Sequence, residues 1–280
     1  MITNYEISDG DIVRYQRQIS LEHFGQDGQK KLLQSKVLII GCGGLGSSVS
    51  QYLAGAGIGQ LVLADGDKLE ISNLHRQLAY REYDLGNHKS VALANQLYEL
   101  NRNVRIRTVD DRLDGQRLKL EVMMADLIID CTDNYPARQS INLACYEAGK
   151  KLITGAAIGW QGQLISFDFS NKSTPCYRCY CTVEQQTDDQ SCQAGAVAGP
   201  VVGAVGALQA LEGIKMLTQS PGSKSVRLYL FNGLEMTWQQ YRLNRDPECP
   251  VCGEKAANQI SAFITSGSKA AKENDSENMD

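Results

Sequence analysis

The chain has 280 residues, 42% of them apolar, enough for one large α/β domain or two small ones around a substantial core. Its 28 basic and 32 acidic residues leave a net charge of -4, which gives no electrostatic ground for binding nucleic acid or an anionic membrane. Residues 1–18 mix Asp9, Asp11, Arg14 and Arg17 with polar side chains and lack the apolar core of a signal peptide, so the expected location is cytoplasmic. In an unsecreted chain, nine cysteines point to metal binding or catalysis rather than to a disulfide framework.

Short β-branched runs alternate with longer helical stretches through the first half. Strand 36–40 leads into helix 45–56, 60–64 into 89–100, 104–109 into 116–124, and 126–130 into 135–148. That alternation predicts right-handed βαβ units and a Rossmann-like, mostly parallel sheet with helices on both faces. The second half changes character: 162–168, 227–231 and 237–243 read as strands, the last two joined through Asn232-Gly233, a hairpin signal. They predict an antiparallel C-terminal extension of the sheet. The uncharged run 190–211 is long enough to raise the membrane question, but Pro200, Gln209 and several glycines weaken it, and 200–217 reads as a buried helix of a soluble protein. After Gly253 the composition turns to Ala, Ser, Lys, Glu, Asn and Asp, which predicts a single domain over 1–256 and a disordered tail over 257–280.

Gly41-Cys42-Gly43-Gly44-Leu45-Gly46 fits G-x-G-x-x-G between strand 36–40 and the next helix, and Asp65 ends the following strand. Glycines allow the tight turn, the helix N-terminus offers free N–H groups to phosphate, and an acid at that distance can accept ribose hydroxyls. The fingerprint alone does not say which nucleotide, and NAD is its default. Downstream come Ile71-Ser72-Asn73-Leu74-His75-Arg76-Gln77 and then Lys89. A dehydrogenase has no use for these extra cations, whereas an ATP-cleaving enzyme needs them to neutralise charge on the phosphoryl oxygens. Asp133, in Asp130-Cys131-Thr132-Asp133-Asn134, falls at the carboxyl edge of the sheet, where it could hold Mg²⁺ against phosphates or cap the helix that follows.

Cys176-x2-Cys179 and Cys249-x2-Cys252 are two knuckles separated by residues 180–248, each able to give two thiolates to one tetrahedral Zn²⁺. Four protein ligands leave no open coordination position, so the ion is expected to be structural. Cys192 lies in a polar stretch outside that set and is a candidate for a covalent link, with Cys181 as its competitor. Cys42, Cys131 and Cys145 read as small core residues, and His23, His75 and His88 as incidental.

Arg14-Tyr15-Gln16-Arg17-Gln18, GCGGLG, SNLHRQ, CTDN, CYRC, GPVVG and CPVC stand in an order that resembles the ThiF/MoeB/HesA family, relatives of the ubiquitin-activating enzymes, over residues 12–253. The resemblance implies that ATP and the C-terminal Gly-Gly carboxylate of a ubiquitin-like sulfur-carrier protein react to an acyl-adenylate and pyrophosphate. It assigns Gly41, Gly43 and Gly46 to the nucleotide, Asp65 to the ribose, Asn73, Arg76 and Lys89 to the phosphates, and Asp133 to Mg²⁺. It also implies a homodimer in which Arg17 reaches the other protomer's site, and a sulfur-transfer role at the Cys192 position in ThiF-like members. Arg112-Leu113-Asp114-Gly115, CTDNYPARQSIN, GPVVG and CPVCG side with the ThiF branch, which serves thiamine thiazole synthesis, over the MoeB branch of molybdopterin synthesis. No rhodanese-like extension follows residue 253, so the sulfur donor is expected to be a separate protein. Two other classes remain: an NAD-dependent oxidoreductase, which leaves SNLHRQ and Lys89 without work, and a silent scaffold, which does not need the intact phosphate set.

Overall fold

The computed structural model describes residues 6–182, 196–220 and 226–254. Two helices open it, α1 (Asp9–Ile19) and α2 (Gly25–Gln34). Then come β1 (Lys36–Ile40), α3 (Gly44–Ala56), β2 (Gln60–Ala64), α4 (Lys89–Leu100), β3 (Arg105–Val109), α5 (Gly115–Met124), β4 (Leu127–Asp130) and α6 (Tyr135–Ala148). The second half holds β5 (Lys151–Ile158), β6 (Gln161–Asp168), the single turn α7 (Tyr177–Tyr180), α8 (Gly199–Thr218), β7 (Arg227–Asn232) and β8 (Thr237–Arg242).

All eight strands form one sheet in the order β3-β2-β1-β4-β5-β6-β7-β8. The pairs β2–β3, β1–β2, β1–β4 and β4–β5 are parallel, and those from β5 to β8 antiparallel. The inner strands are apolar runs because helices cover both their faces. Val37 and Ile39 enter one core with Leu53, Leu61 and Leu93, while Leu38 and Ile40 enter another with Val62, Ile128, Ile141 and Phe167. Strand order reverses between β1 and β4, so their carboxyl ends open a crevice of the kind in which α/β sheets bind ligands.

Among the described residues α8 alone is long and apolar enough to cross a membrane. It packs inside the fold instead. A Cβ on Gly206 would sit 2.7 Å from that of Ser48 in α3, and one on Gly162 of β6 would sit 2.5 Å from the Val205 side chain.

Sequence and structure differ at a few places. The helices α1 and α2 and the strand β5 stand where no element was expected. The hairpin lies where Asn232-Gly233 marks it, yet Asn232 pairs with Thr237, leaving a four-residue turn, 233–236. Its left-handed residue is Met236 (φ 54°) rather than a glycine, and the Asn232 side chain holds the turn by accepting from the Leu234 and Glu235 amides. The proposed end of the domain at 256 and the tail over 257–280 lie outside the described residues.

Candidate functional site

The site is built where β1, β2 and β4 end. Gly41 follows β1 with φ 90°, and a Cβ there would stand 2.7 Å from the Cys131 carbonyl oxygen, so a side chain would drive the loop away from the β4 end. A Cβ on Gly46 would sit 1.9 Å from the Gly41 oxygen. Gly43 occupies the cap of α3 with no side-chain acceptor, leaving first-turn N–H groups of α3 free for an anion. Asp65 accepts from the Cys42 amide (2.6 Å) and the Asp67 amide (2.7 Å), so any ribose must share a carboxylate that already fixes this loop. Burial pushes the Asp65 carboxyl above its ordinary value, against the opposing pull of those two amides.

Residues 71–73 form a 3-10 turn in which the buried Asn73 accepts the Glu70 amide (3.0 Å). Arg76 donates from Nη1 to the Ser72 carbonyl (3.0 Å) and lies 2.8 Å from His75 Nε2, leaving Nε and Nη2 without a partner among the described residues. This segment faces the glycine loop: a Cβ on Gly44 would stand 3.1 Å from the Arg76 carbonyl oxygen, and one on Gly43 3.6 Å from Gln77 Nε2. Lys89 starts α4, is only 8% exposed, and places Nζ 3.0 Å from the exposed Asp67 carboxylate. A buried ammonium with a single exposed partner can exchange that partner for a phosphate.

Two carboxylates three residues apart have opposite surroundings. Asp130 is buried and satisfied: it accepts from the Thr132 amide (3.0 Å) and hydroxyl (2.6 Å) and from the Thr154 hydroxyl (2.9 Å), with Arg138 Nη1 at 3.6 Å. Arg138, also buried, donates onward to Thr154 (2.7 Å), the Gly155 carbonyl (2.8 Å) and the Thr132 carbonyl. Gln209 of α8 donates to the Asp130 carbonyl (3.0 Å) from the opposite face. Asp133 is exposed, and its one hydrogen-bond contact among the described residues is a 3.5 Å approach from Asn134 Nδ2. The cap of α6 is Asn134, which accepts the Ala137 amide (3.0 Å). Capping by Asp133 is thereby corrected, since the residue one position later has the cap geometry, and the Asp133 carboxylate is left open to a cation.

Arg17 does not join this group. In α1, Gln18 donates to the Ala56 carbonyl (3.0 Å), and Tyr15 receives the Asn101 amide (2.9 Å) and fills the space beside Gly57. These contacts hold α1 at the carboxyl ends of α3 and α4, whereas the site is at their amino ends, and 13 residues of helix span about 20 Å. Arg17 is exposed there and makes no hydrogen bond or ion pair among the described residues.

The sulfur atoms of Cys176, Cys179, Cys249 and Cys252 all lie within 4.8 Å of one another, and all four cysteines are free. Cys176–Cys249 (3.7 Å) and Cys179–Cys252 (3.3 Å) are near the roughly 3.8 Å expected between thiolates each about 2.3 Å from one tetrahedral zinc, so the residues fit the ion. The Asp246 amide points at Cys179 Sγ (3.4 Å), and Arg245 donates to the Cys252 carbonyl (2.7 Å), bracing the second knuckle. Cys181 lies outside the cluster, half-buried. Cys42, Cys131 and Cys145 are buried thiols whose pKa burial pushes up, as inert core cysteines require. Cys192 lies outside the described residues.

Sequence reasoning missed Asp67, Tyr80, Asp130, Arg138 and Gln209. Of these only Asp130 and Gln209 carried a signal, as polar groups inside apolar runs.

A model of the ThiF family matches residues 15–251. The sulfur carrier protein ThiS adenylyltransferase of Escherichia coli (strain K12) is 43% identical over 261 residues, covering 91% of this chain and 100% of that protein. The molybdopterin-synthase adenylyltransferase of the same organism is 38% identical over 249 residues, covering 89% and 99%. Among solved structures, E. coli MccB with succinimide superposes with a TM-score of 0.75 at 25% identity, covering 90% of this chain and 76% of that one.

Proposed function

Because the chain belongs to the ThiF family, we propose that it adenylylates the C-terminal glycine carboxylate of a ubiquitin-like sulfur-carrier protein of the ThiS kind, ahead of sulfur transfer in thiamine thiazole synthesis. The observation that carries this reading is the 43% identity along the whole of a ThiS adenylyltransferase. The open cations and carboxylate at the carboxyl edge of the sheet support it.

The carboxylate of a chain terminus has a pKa of about 3.5 and is ionised at neutral pH, so no general base is needed. One of its oxygens attacks the α-phosphorus of ATP, the bond to the bridging oxygen breaks, and pyrophosphate leaves with the electron pair. What the protein supplies is alignment and charge. The N–H groups at the start of α3, from Gly43 to Gly46, and the donors of Asn73, Arg76 and Lys89 would face the phosphates, with Gly41 giving the loop its close turn. Lys89 would release Asp67 to do so, and Asp65 would hold the ribose. Asp133 would hold Mg²⁺, which would supply positive charge against the phosphates. Arg17 of each protomer in a homodimer would complete the other's site, in keeping with its distance from its own. Zinc on the four thiolates would tie the two knuckles together without taking part in chemistry. Cys192, or Cys181, would serve the later step, in which a separate sulfur donor displaces AMP. We place the enzyme in the cytoplasm as a single domain over 1–256 with a tail beyond it.

ATP–pyrophosphate exchange tests the reading: it should require Mg²⁺ and a carrier ending in Gly-Gly. Lys89→Ala or Asp133→Asn should lower exchange by about 10²–10³-fold, the usual cost of one preorganised charge-stabilising group, with the thermal midpoint unchanged. Tight NAD binding without exchange on any such carrier would sink the proposal. The 38% identity to a molybdopterin-synthase adenylyltransferase favours one second reading, activation of the molybdopterin synthase small subunit. Exchange measured side by side with the two carriers separates them.

A further inference from the structure

Tyr80 closes the segment that carries Asn73 and Arg76, and its ring is buried at 4% exposure. Its hydroxyl donates to the Cys42 carbonyl of the glycine loop (2.5 Å) and lies 3.3 Å from the Lys89 carbonyl in the first turn of α4. The preceding peptide unit, at the N–H of the same residue, is held by Asp65, which accepts it. One residue at the start of the glycine loop is thus gripped at both its donor and its acceptor. Burial pushes the Tyr80 hydroxyl up, so it stays protonated and keeps its proton to donate.

The consequence lies one residue further on. The orientation of the peptide units after Cys42 decides where the free N–H groups of the α3 cap point. The position of the α4 start decides where Lys89 Nζ stands. Asp65 and Asp67 already tie the glycine loop to the α4 start, because Asp67 donates its amide to Asp65 (2.7 Å) and accepts the Lys89 amide (3.0 Å). The buried Tyr80 hydroxyl touches both elements directly and adds a second link between them. Tyr80 itself is too deeply buried to reach a ligand.

We propose that Tyr80 is a positioning residue for nucleotide binding, its hydroxyl fixing the glycine loop against Lys89 so that both meet the same phosphates. The proposal rests on the adenylyltransferase reading and deepens it. Tyr80→Phe deletes the hydroxyl and keeps the ring. Losing a buried hydrogen bond of this kind should weaken MgATP binding by about tenfold, read by calorimetric titration of the full chain and as the same rise in the KM for ATP in pyrophosphate exchange. The KM for the carrier should stay within about twofold. Hydrogen exchange supplies a second measurement: amides of 41–47 should exchange faster in the variant while those of β6 and β7 keep their protection. A variant that loses thermal stability but keeps wild-type ATP affinity and loop protection overturns the proposal and leaves Tyr80 a packing residue. Wild-type protein that binds no MgATP overturns the adenylyltransferase reading along with it, whereas wild-type binding that the variant matches overturns Tyr80 alone.

Discussion

At the parallel end of the sheet, the loops facing the crevice are held by a few polar contacts: Asp65 accepts the Cys42 and Asp67 amides, Lys89 pairs with the exposed Asp67, and Asn134 accepts the Ala137 amide. At the antiparallel end, the loops carrying Cys176 and Cys252 converge on four sulfurs above an aromatic core in which Phe169 stacks on Phe167 (5.4 Å) and meets Tyr146 edge-on (5.5 Å). The first arrangement can exchange partners when a charged ligand arrives, because Lys89 is paired with an exposed carboxylate and Asp133 stands exposed. The second would not, because four thiolates closed around one tetrahedral ion leave no position to exchange.

Stripping the metal tests this division most severely. Binding of structural zinc is worth on the order of 10 kcal/mol in zinc-finger peptides, so chelation or Cys249→Ser should give the largest loss of stability of any change made here. Thermal unfolding against chelator concentration, with metal content measured in parallel, should show a single zinc lost as the midpoint falls. Exchange per folded molecule should not change. If exchange fell while the protein remained folded, the two ends would not be separate and the zinc would bear on the chemistry.

Arg138→Met blurs the division on purpose. Removing one partner of a buried pair leaves the Asp130 charge uncompensated and costs about 3–5 kcal/mol. The same guanidinium also holds the Thr132 and Gly155 carbonyls, so the turn leading to Asp133 should loosen with it. Urea unfolding should show the stability loss, and exchange should fall even at temperatures where the variant is folded. Unchanged exchange would mean that the network serves β4 and β5 but not the site.

How far the sequence could reveal these ends follows from the range of the interactions. The two cysteine knuckles were legible because each pair is local, and tetrahedral zinc has few other ways to use them. The glycine loop was legible because strand, turn and helix run in sequence. Asp133 was legible as a position and wrong as a cap, since Asp and Asn both cap helices and only geometry chooses between neighbours. Arg138 was not legible, because an arginine in the first turns of a helix reads as a solvated charge until Asp130 and Thr154 close over it. The strand β5 was missed for a similar reason. It starts at a lysine and carries Gly155 at its centre, a poor strand former whose missing Cβ makes room for Gln209, since one there would lie 2.5 Å from that side chain. The helix α1 is hidden by its charge, because a polar segment that buries only Asp11 and Tyr15 carries no apolar helical stripe.

The smallest predicted effect isolates the exchangeable end. Asn134→Ala removes the cap of α6 and should cost about 1 kcal/mol of stability, whereas Asn134→Asp, which can cap equally well, should cost little. Stability alone would not distinguish a structural cap from a site residue. Among the described residues, however, Asp133 meets only the Asn134 side-chain amide, so the alanine variant frees its carboxylate from that restraint. The Mg²⁺ concentration for half-maximal exchange should then rise severalfold, with the rate at saturating Mg²⁺ preserved, because the ligand is intact and only its orientation is lost. A lowered rate at saturation would instead place Asn134 among the groups acting in the transition state. Identical Mg²⁺ dependence in wild type and alanine variant would mean that Asp133 does not hold the cation.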